Sequence, residues 1–121
     1  MKANELMIGD WVCCTDPKPF KIVEISIIDP HEYITGSDGF DVDVSDLQPI
    51  PLTAEILNSN FPDVRHGVFW SWNDIISSEN VNWFELRIEI GLDEILTRNI
   101  RYVHELQHAL RLCGIEKEVV L

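Results

Sequence analysis

Residues 101–114 carry the strongest helical pattern in the sequence, because apolar side chains recur at the 3.6-residue spacing of an α-helix. The same projection places His104 and His108 on the opposite, polar side of the helix. Gly114 suits the position just after a helix end. The residues predicted to face the core are Tyr102, Val103, Leu106, Ala109, Leu110 and Cys113. The pattern therefore predicts an amphipathic helix that closes a core through one stripe.

The first fifty residues carry short β-strand patterns separated by turn residues. Strands are predicted at residues 6–13, at the β-branched segment 20–28, and in a hairpin over residues 31–44. In the second arm of this hairpin, strict alternation predicts that Phe40, Val42 and Val44 point inward. A single tight turn is predicted at residues 45–47. Several short strands at roughly ten-residue spacing indicate a small curled sheet resembling an SH3-like barrel.

Residues 51–121 mix both kinds of element. Thr53 is the predicted N-cap of a short helix that stops before Pro62, with Leu52 packing on Leu57. Two strands are predicted, at residues 67–72 and 81–90, with a polar turn near residues 77–80. Residues 91–99 fit either a short helix or the turn into another strand, and residues 116–121 fit either a terminal strand or a loose tail.

These patterns predict an α+β fold. An SH3-like β lobe covers residues 1–50, and an α+β lobe at residues 51–121 packs against it or continues it as one domain. The second lobe contains a helix, antiparallel strands and the C-terminal amphipathic helix.

The net charge of −12 is spread over the whole chain. Residues 1–51 carry 3 Lys or Arg against 10 Asp or Glu, and residues 52–121 carry 6 against 11. Because such a surface repels phosphate backbones, we expect no direct nucleic-acid binding. The three cysteines match neither a disulfide framework nor a zinc ribbon. No signal peptide or membrane span is expected, so the sequence predicts a cytoplasmic protein.

Residues 104–108 match the zinc-protease pattern H-E-x-x-H. In that interpretation His104 and His108 bind the metal, and Glu105 polarises the bound water. The third histidine of the extended motif is absent, and Arg101 and Arg111 flank the site with positive charge. An upstream ligand, His31, His66 or Asp93, would have to complete it. Because this supporting context is missing, the sequence favours an ordinary amphipathic helix over a zinc site, and no metal or cofactor is expected.

Two further groups of residues invite a binding interpretation. Asp38, Asp41, Asp43 and Asp46 crowd the predicted hairpin, but their spacing is not that of a calcium loop, which favours a solvated strand face. Four of the aromatic residues in the predicted strands of the second lobe are candidates for a recognition surface: Phe69, Trp70, Trp72 and Trp83. Core packing is the default for such residues, and exposed together Trp70, Trp72 and Trp83 would form an interaction surface.

Three segments, residues 2–12, 49–57 and 102–108, resemble a group of small proteins of Bacteroides and related bacteria. Genes for that group often lie in prophage or other mobile-element regions, and no activity is established for it. Residues 61–99 match the group poorly. The group shares a pattern Y-[VL]-H-x-L-Q, which this chain matches with Tyr102, His104, Leu106 and Gln107. The resemblance implies that these four residues form a structural motif and that Glu105 and His108 are incidental to it.

Without a convincing catalytic set, the sequence favours a non-enzymatic interaction module that binds a protein partner. The resemblance implies that this module is an accessory protein of phage or mobile-element origin. The alternatives are a zinc-dependent hydrolase that uses His104, Glu105 and His108, and an acidic mimic of nucleic acid that occupies a DNA-binding protein. The identity of the partner and the oligomeric state do not follow from the sequence.

Overall fold

A computed structural model describes the secondary structure of residues 1–16, 18–28, 30–61, 65–66, 69–72, 75–79, 84–90 and 93–121. Within these residues, side-chain surroundings are described for 1–16, 18–28, 30–61, 84–86 and 98–121. The chain combines two α-helices with antiparallel sheets across these ranges, so the predicted α+β class is confirmed. It divides into two compact units, Met1–Ile50 and Pro51–Leu121. The predicted lobe boundary lies at the same place, and the packing of one lobe on the other stays a prediction.

Unit 1 is a five-stranded antiparallel sheet in the order β4-β3-β2-β1-β5. A 3-10 turn at Ala3–Glu5 precedes the strands, and a second at Val44–Asp46 links β4 to β5. The strands are β1 (Trp11–Cys13), β2 (Phe20–Ile28), β3 (His31–Gly36), β4 (Asp41–Asp43) and β5 (Gln48–Pro49). Among the described residues the edge strands β4 and β5 are not paired with each other, so the sheet is not closed and the SH3-like barrel is not confirmed.

The core of unit 1 is a cluster of eight buried hydrophobic residues. Val12 and Ile22 are fully buried, and Val44, which was predicted to point inward, is buried in the 3-10 turn after β4. Phe40 is the exception, since it is 70% exposed although the same alternation predicts that it points inward. The prediction for Phe40 was wrong because β4 begins only at Asp41, so Phe40 belongs to the preceding turn and does not follow the pleat of the strand.

The strands of unit 2 form a second five-stranded antiparallel sheet, in the order β10-β9-β8-β7-β6. Helix α1 (Ala54–Asn60) precedes the sheet and α2 (Val103–Leu112) follows it. The strands are β6 (Arg65–His66), β7 (Phe69–Trp72), β8 (Ile75–Glu79), β9 (Phe84–Ile90) and β10 (Asp93–Ile100). Thr53 is the N-cap of α1 as predicted, with its hydroxyl accepting from the Ile56 amide at 3.2 Å.

Two features of unit 2 differ from or resolve the sequence interpretation. The polar turn predicted near residues 77–80 was wrong, because Ile75–Glu79 is a strand that pairs with both β7 and β9. Serine-rich segments favour turns locally, but pairing on both edges outweighs that preference. The segment predicted as either a helix or a strand is β10, which pairs with β9 from Asp93 to Ile100.

The C-terminal segment is neither a strand nor a loose tail. Val119 is 1% exposed. The side chain of Asn60, at the end of α1, pairs with both backbone groups of Val120: its Oδ1 accepts from the amide at 2.7 Å, and its Nδ2 donates to the carbonyl at 2.9 Å. Nδ2 also donates to the Ile56 carbonyl at 2.8 Å. Asn60 therefore ties the last residues to α1.

Helix α2 ends in the backbone arrangement that its sequence predicts. Gly114 has a φ of 71°, a left-handed conformation that favours glycine. Its amide donates to the Arg111 carbonyl at 3.0 Å, and the Ile115 amide donates to the Leu110 carbonyl at 2.9 Å. This pair of bonds is the Schellman motif, which satisfies carbonyls that the helix end leaves open. The described helices include none with the length and apolar character needed to span a membrane.

Candidate functional site

The helix that carries H-E-x-x-H buries more of its surface than the sequence predicts. His104 is 8% exposed, whereas the helical projection predicted it on the polar side, and Gln107 is 7% exposed. His108 is half-buried. The placement of His104 outside was wrong because the buried arc of α2 is wider than its apolar stripe, and Gln107 lies within that arc, one turn after Val103.

The rings of Tyr102, His104 and His108 lie next to one another along α2. The rings of Tyr102 and His104 are nearly parallel, with centroids 5.9 Å apart, and those of His104 and His108 meet edge to face at 5.5 Å. The two histidines are thus neighbours, as i and i+4 positions require. Across the described residues, no group of three or more His, Cys, Asp or Glu side chains could hold a metal ion. A third ligand for this pair is therefore not found in that part of the chain.

The three upstream ligands considered for a zinc site are distributed over both units. His31 lies in β3 of unit 1. His66 and Asp93 lie in β6 and β10, where the placement of their side chains is outside the described residues. The same applies to the candidate interaction surface. Trp70 and Trp72 belong to β7, where the placement of their side chains is outside the described residues, and Trp83 lies outside the described residues altogether.

Glu105, the candidate base of the zinc motif, serves as a helix cap. Its Oε1 accepts from the backbone amides of Tyr102 and Arg101, both at 3.1 Å. These amides lie at the start of α2, where backbone donors have no partner within the helix, and a carboxylate also interacts favourably with the helix dipole there. Glu105 is the N3 residue of α2, the position from which a glutamate reaches back in a capping box. Its carboxylate is therefore directed towards the helix start.

Replacing Glu105 by alanine is expected to lower the free energy of unfolding by about 0.5–2 kcal/mol, the usual range for loss of a helix cap. Glu105→Gln is the matched control, because its amide oxygen still accepts from the two backbone donors, and it should recover most of the loss. Urea unfolding monitored by circular dichroism measures both variants. Equal stability of the alanine variant and the wild type would contradict the capping role.

The acidic hairpin of unit 1 uses its carboxylates in local hydrogen bonds. Asp41 accepts from the Thr35 hydroxyl at 2.7 Å. Asp43 caps the 3-10 turn at Val44–Asp46, since its Oδ1 accepts from the Ser45 amide at 2.9 Å and from the Ser45 hydroxyl at 2.8 Å. These contacts are those of a structured turn and of a solvated strand face.

The two bonds from Ser45, first the backbone amide and then the hydroxyl, lower the pKa of Asp43, and His31 adds to the effect. A carboxyl group with a depressed folded-state pKa stabilises the fold above its unfolded-state pKa, and this stabilisation is lost as the pH falls through the folded value. In Ser45→Ala the amide donor remains and the hydroxyl is lost, so the pKa of Asp43 should rise part of the way towards its ordinary value. Carbon-13 NMR titration of the carboxyl groups, with the urea-unfolded chain as reference, measures this shift. A pKa of Asp43 that is identical in variant and wild type would exclude the side-chain contribution.

A groove of about 380 Å³ opens on unit 1 between the β1–β2 loop and the β3–β4 turn. Two of its lining residues are aromatic: Phe20, which is 8% exposed, and Phe40, which is 70% exposed. The volume falls within the usual range of ligand pockets. The remaining lining residues are Cys14, Asp16, Lys18, Pro19, Ser37, Asp38 and Val42.

The β3–β4 turn that forms one wall is held in place by hydrogen bonds. Ser37 exchanges two bonds with Lys21 of β2, one from its backbone amide at 2.8 Å and one to its hydroxyl at 3.0 Å. Asp38 accepts from the Phe40 amide at 3.2 Å. Gly36 permits this close packing, since a Cβ there would lie 2.6 Å from the Asp38 carboxylate and 2.8 Å from the Phe20 ring. The wall that presents Phe40 is therefore preformed.

Cys14, in the lining of the groove, is surrounded by groups that disfavour its thiolate form. Burial raises the pKa of the Cys14 thiol, and the adjacent Cys13 raises it further. Three carboxylates, those of Asp46, Asp38 and Asp16, act in the same direction. A raised pKa disfavours the thiolate, so Cys14 has little nucleophilic character. Asp16 and Asp38 line the groove, together with Lys18, the single cation among the described lining residues.

Comparisons with protein-family models, with curated proteins and with solved structures found no match for this chain. The groove itself was missed by sequence reasoning, which assigned Phe40 to the core. The one available signal in the sequence was the position of Phe40 directly after Gly39, because glycine is favoured in turns. In the structure Gly39 has a φ of 89°.

Proposed function

We propose that the protein is a non-enzymatic protein-interaction module whose binding site is the groove of unit 1. The single observation that carries this proposal is Phe40, a large apolar side chain that is 70% exposed at the mouth of a preformed groove. Exposed aromatic side chains at concave sites are typical anchors of protein interfaces. The SH3-like character predicted for this lobe agrees with such a role, because small β domains commonly bind peptide segments.

The resemblance to mobile-element proteins of Bacteroides supports a second part of the proposal, an accessory role in a phage or mobile element within the cytoplasm. The acidic surface, with a net charge of −12, favours a protein partner over nucleic acid. The zinc-hydrolase alternative is not carried forward, because Glu105 caps its own helix and the histidine pair has no third ligand among the described side chains. No observation favours the nucleic-acid mimic over the groove.

Phe40→Ala is expected to weaken binding of a host partner by about 2 kcal/mol, roughly thirtyfold, which is the scale of an aromatic anchor. The partner is first captured with the wild-type protein, then purified, and its affinity for each variant is measured by calorimetry. Phe40 contributes little to the core, so the variant should unfold at the wild-type temperature.

Ile28→Ala provides a matched control, because Ile28 is 68% exposed in the same unit and does not line the groove. This variant should bind the partner with wild-type affinity. If Phe40→Ala keeps wild-type affinity, as Ile28→Ala is expected to, the groove is not the binding site and the proposed function fails. Loss of affinity in both variants would instead indicate an interface spread over unit 1.

A further inference from the structure

We propose that the groove of unit 1 binds a segment of a protein partner that carries an arginine or lysine. The apolar part of the basic side chain lies on Phe40, and its cationic head lies near the carboxylates of Asp16 and Asp38. This inference rests on the proposed function and specifies its ligand. It depends on the two properties that the groove combines, an aromatic surface and an excess of negative charge, which together match one class of side chain.

The aromatic part of the groove suits the stem of a long basic side chain. Phe40 is exposed, and Phe20 and Val42 extend the apolar lining beside it. Lysine and arginine bury their methylene groups along such surfaces while their heads stay polar.

The charged part of the groove favours a cation over a neutral or acidic ligand. Asp16 and Asp38 line the groove, and the charge of Asp46 acts on Cys14 in the same lining. Lys18 is the one basic residue among the lining side chains that the structure describes. A neutral ligand would remove water from these carboxylates without replacing its interactions, whereas an arginine or lysine head compensates that cost.

A bare metal ion fits these residues less well than a basic side chain. No group of three or more metal-ligating side chains is found in the described ranges, the groove among them. One oxygen of Asp16 accepts from the Lys18 amide, and one of Asp38 accepts from the Phe40 amide, so each carboxylate holds its loop and presents its charge to solvent. Such groups attract a cation at long range and pair with a large guanidinium or ammonium head.

The test uses the purified full chain and a display library of random 12-residue peptides. Peptides are selected on the immobilised wild-type protein in the presence of excess soluble Phe40→Ala, which removes binders that do not need the groove. We expect the selected peptides to be enriched in arginine or lysine beside an apolar residue. Their affinity, measured by fluorescence anisotropy with dye-labelled peptides, should fall as salt rises from about 50 to 300 mM because exposed charge pairs are screened.

Two charge-removing variants sharpen the test. Asp16→Asn and Asp38→Asn keep an oxygen that accepts the same backbone amide, so the loops are retained and only the charge is lost. Each is expected to weaken peptide binding about two- to fivefold, the range of an exposed charge pair. Asp41→Asn is the matched control: it removes one charge from β4 outside the groove lining and keeps the acceptor for Thr35, and it should change affinity less than twofold.

The possible results separate this inference from the proposed function. Selected peptides that require Phe40 but are neutral or acidic, or whose affinity is unaffected by Asp16→Asn and Asp38→Asn, would overturn the cationic ligand and leave the groove as the binding site. A selection that yields no peptide dependent on Phe40 would also overturn it. The proposed function fails by a different measurement, namely a natural partner that binds Phe40→Ala and Ile28→Ala with wild-type affinity.

Discussion

Replacing Leu106 by alanine is expected to lower the free energy of unfolding by about 2–5 kcal/mol, the range measured for buried leucines in protein cores. Leu106 is 1% exposed in the middle of α2, between buried neighbours on the same helix face. The truncation removes apolar surface from the core and leaves a cavity that the surrounding side chains fill only in part. Urea unfolding monitored by circular dichroism measures the loss.

Leu112→Ala is a closely matched control for this prediction. It makes the same chemical change at the end of the same helix, but Leu112 is 65% exposed. The change in unfolding free energy should therefore stay within about 0.5 kcal/mol, as for most surface substitutions. Similar losses in the two variants would mean that helix propensity, and not burial, decides the stability of α2.

Replacing Asn60 by alanine is expected to lower the free energy of unfolding by about 2–3 kcal/mol. The variant loses three hydrogen bonds, each of which typically contributes about 0.5–1.5 kcal/mol, and part of this is recovered when water reaches the backbone of Val120. The cost falls on the C-terminal segment, because Asn60 ties that segment to α1. Urea unfolding gives the free energy, and amide hydrogen exchange at Val120 reports the local release.

Ser59→Ala controls for the change to alanine within α1, because Ser59 is exposed one residue earlier. It should change the unfolding free energy by no more than about 0.5 kcal/mol and leave exchange at Val120 unaltered. An Asn60→Ala protein in which the Val120 amide is still protected from exchange would show that other contacts, such as burial of Val119, hold the segment in place.

Local patterns were sufficient where the information lies in neighbouring residues. The β-branched residues in 20–28 predicted β2 (Phe20–Ile28) with its correct ends, and Thr53 was correctly assigned as the cap of α1. Gly114 was correctly placed just after the end of α2. Each of these depends on the conformational preferences of a few adjacent residues, and those preferences are present in the chain before it folds.

Local patterns failed where a distant part of the chain decides the outcome. The polar segment at residues 77–79 is a strand because β7 and β9 supply hydrogen-bond partners on both of its edges. Phe40 was assigned to the core because its hydropathy fits the alternation of β4, although it lies in the preceding turn, where it is exposed and lines the groove. The groove joins a loop near residue 16 to a turn near residue 38, and no local pattern contains that proximity.

The amphipathic helix at residues 101–114 shows both sides of this division. The sequence by itself determined that the helix forms, that Leu106 and Leu110 face the core, and that glycine ends it, because period and end chemistry are local properties. Only the tertiary structure decided that His104 and Gln107 are buried as well and that Glu105 caps the helix. Burial is a property of what surrounds a helix, and the width of the covered arc depends on elements that are distant in the sequence.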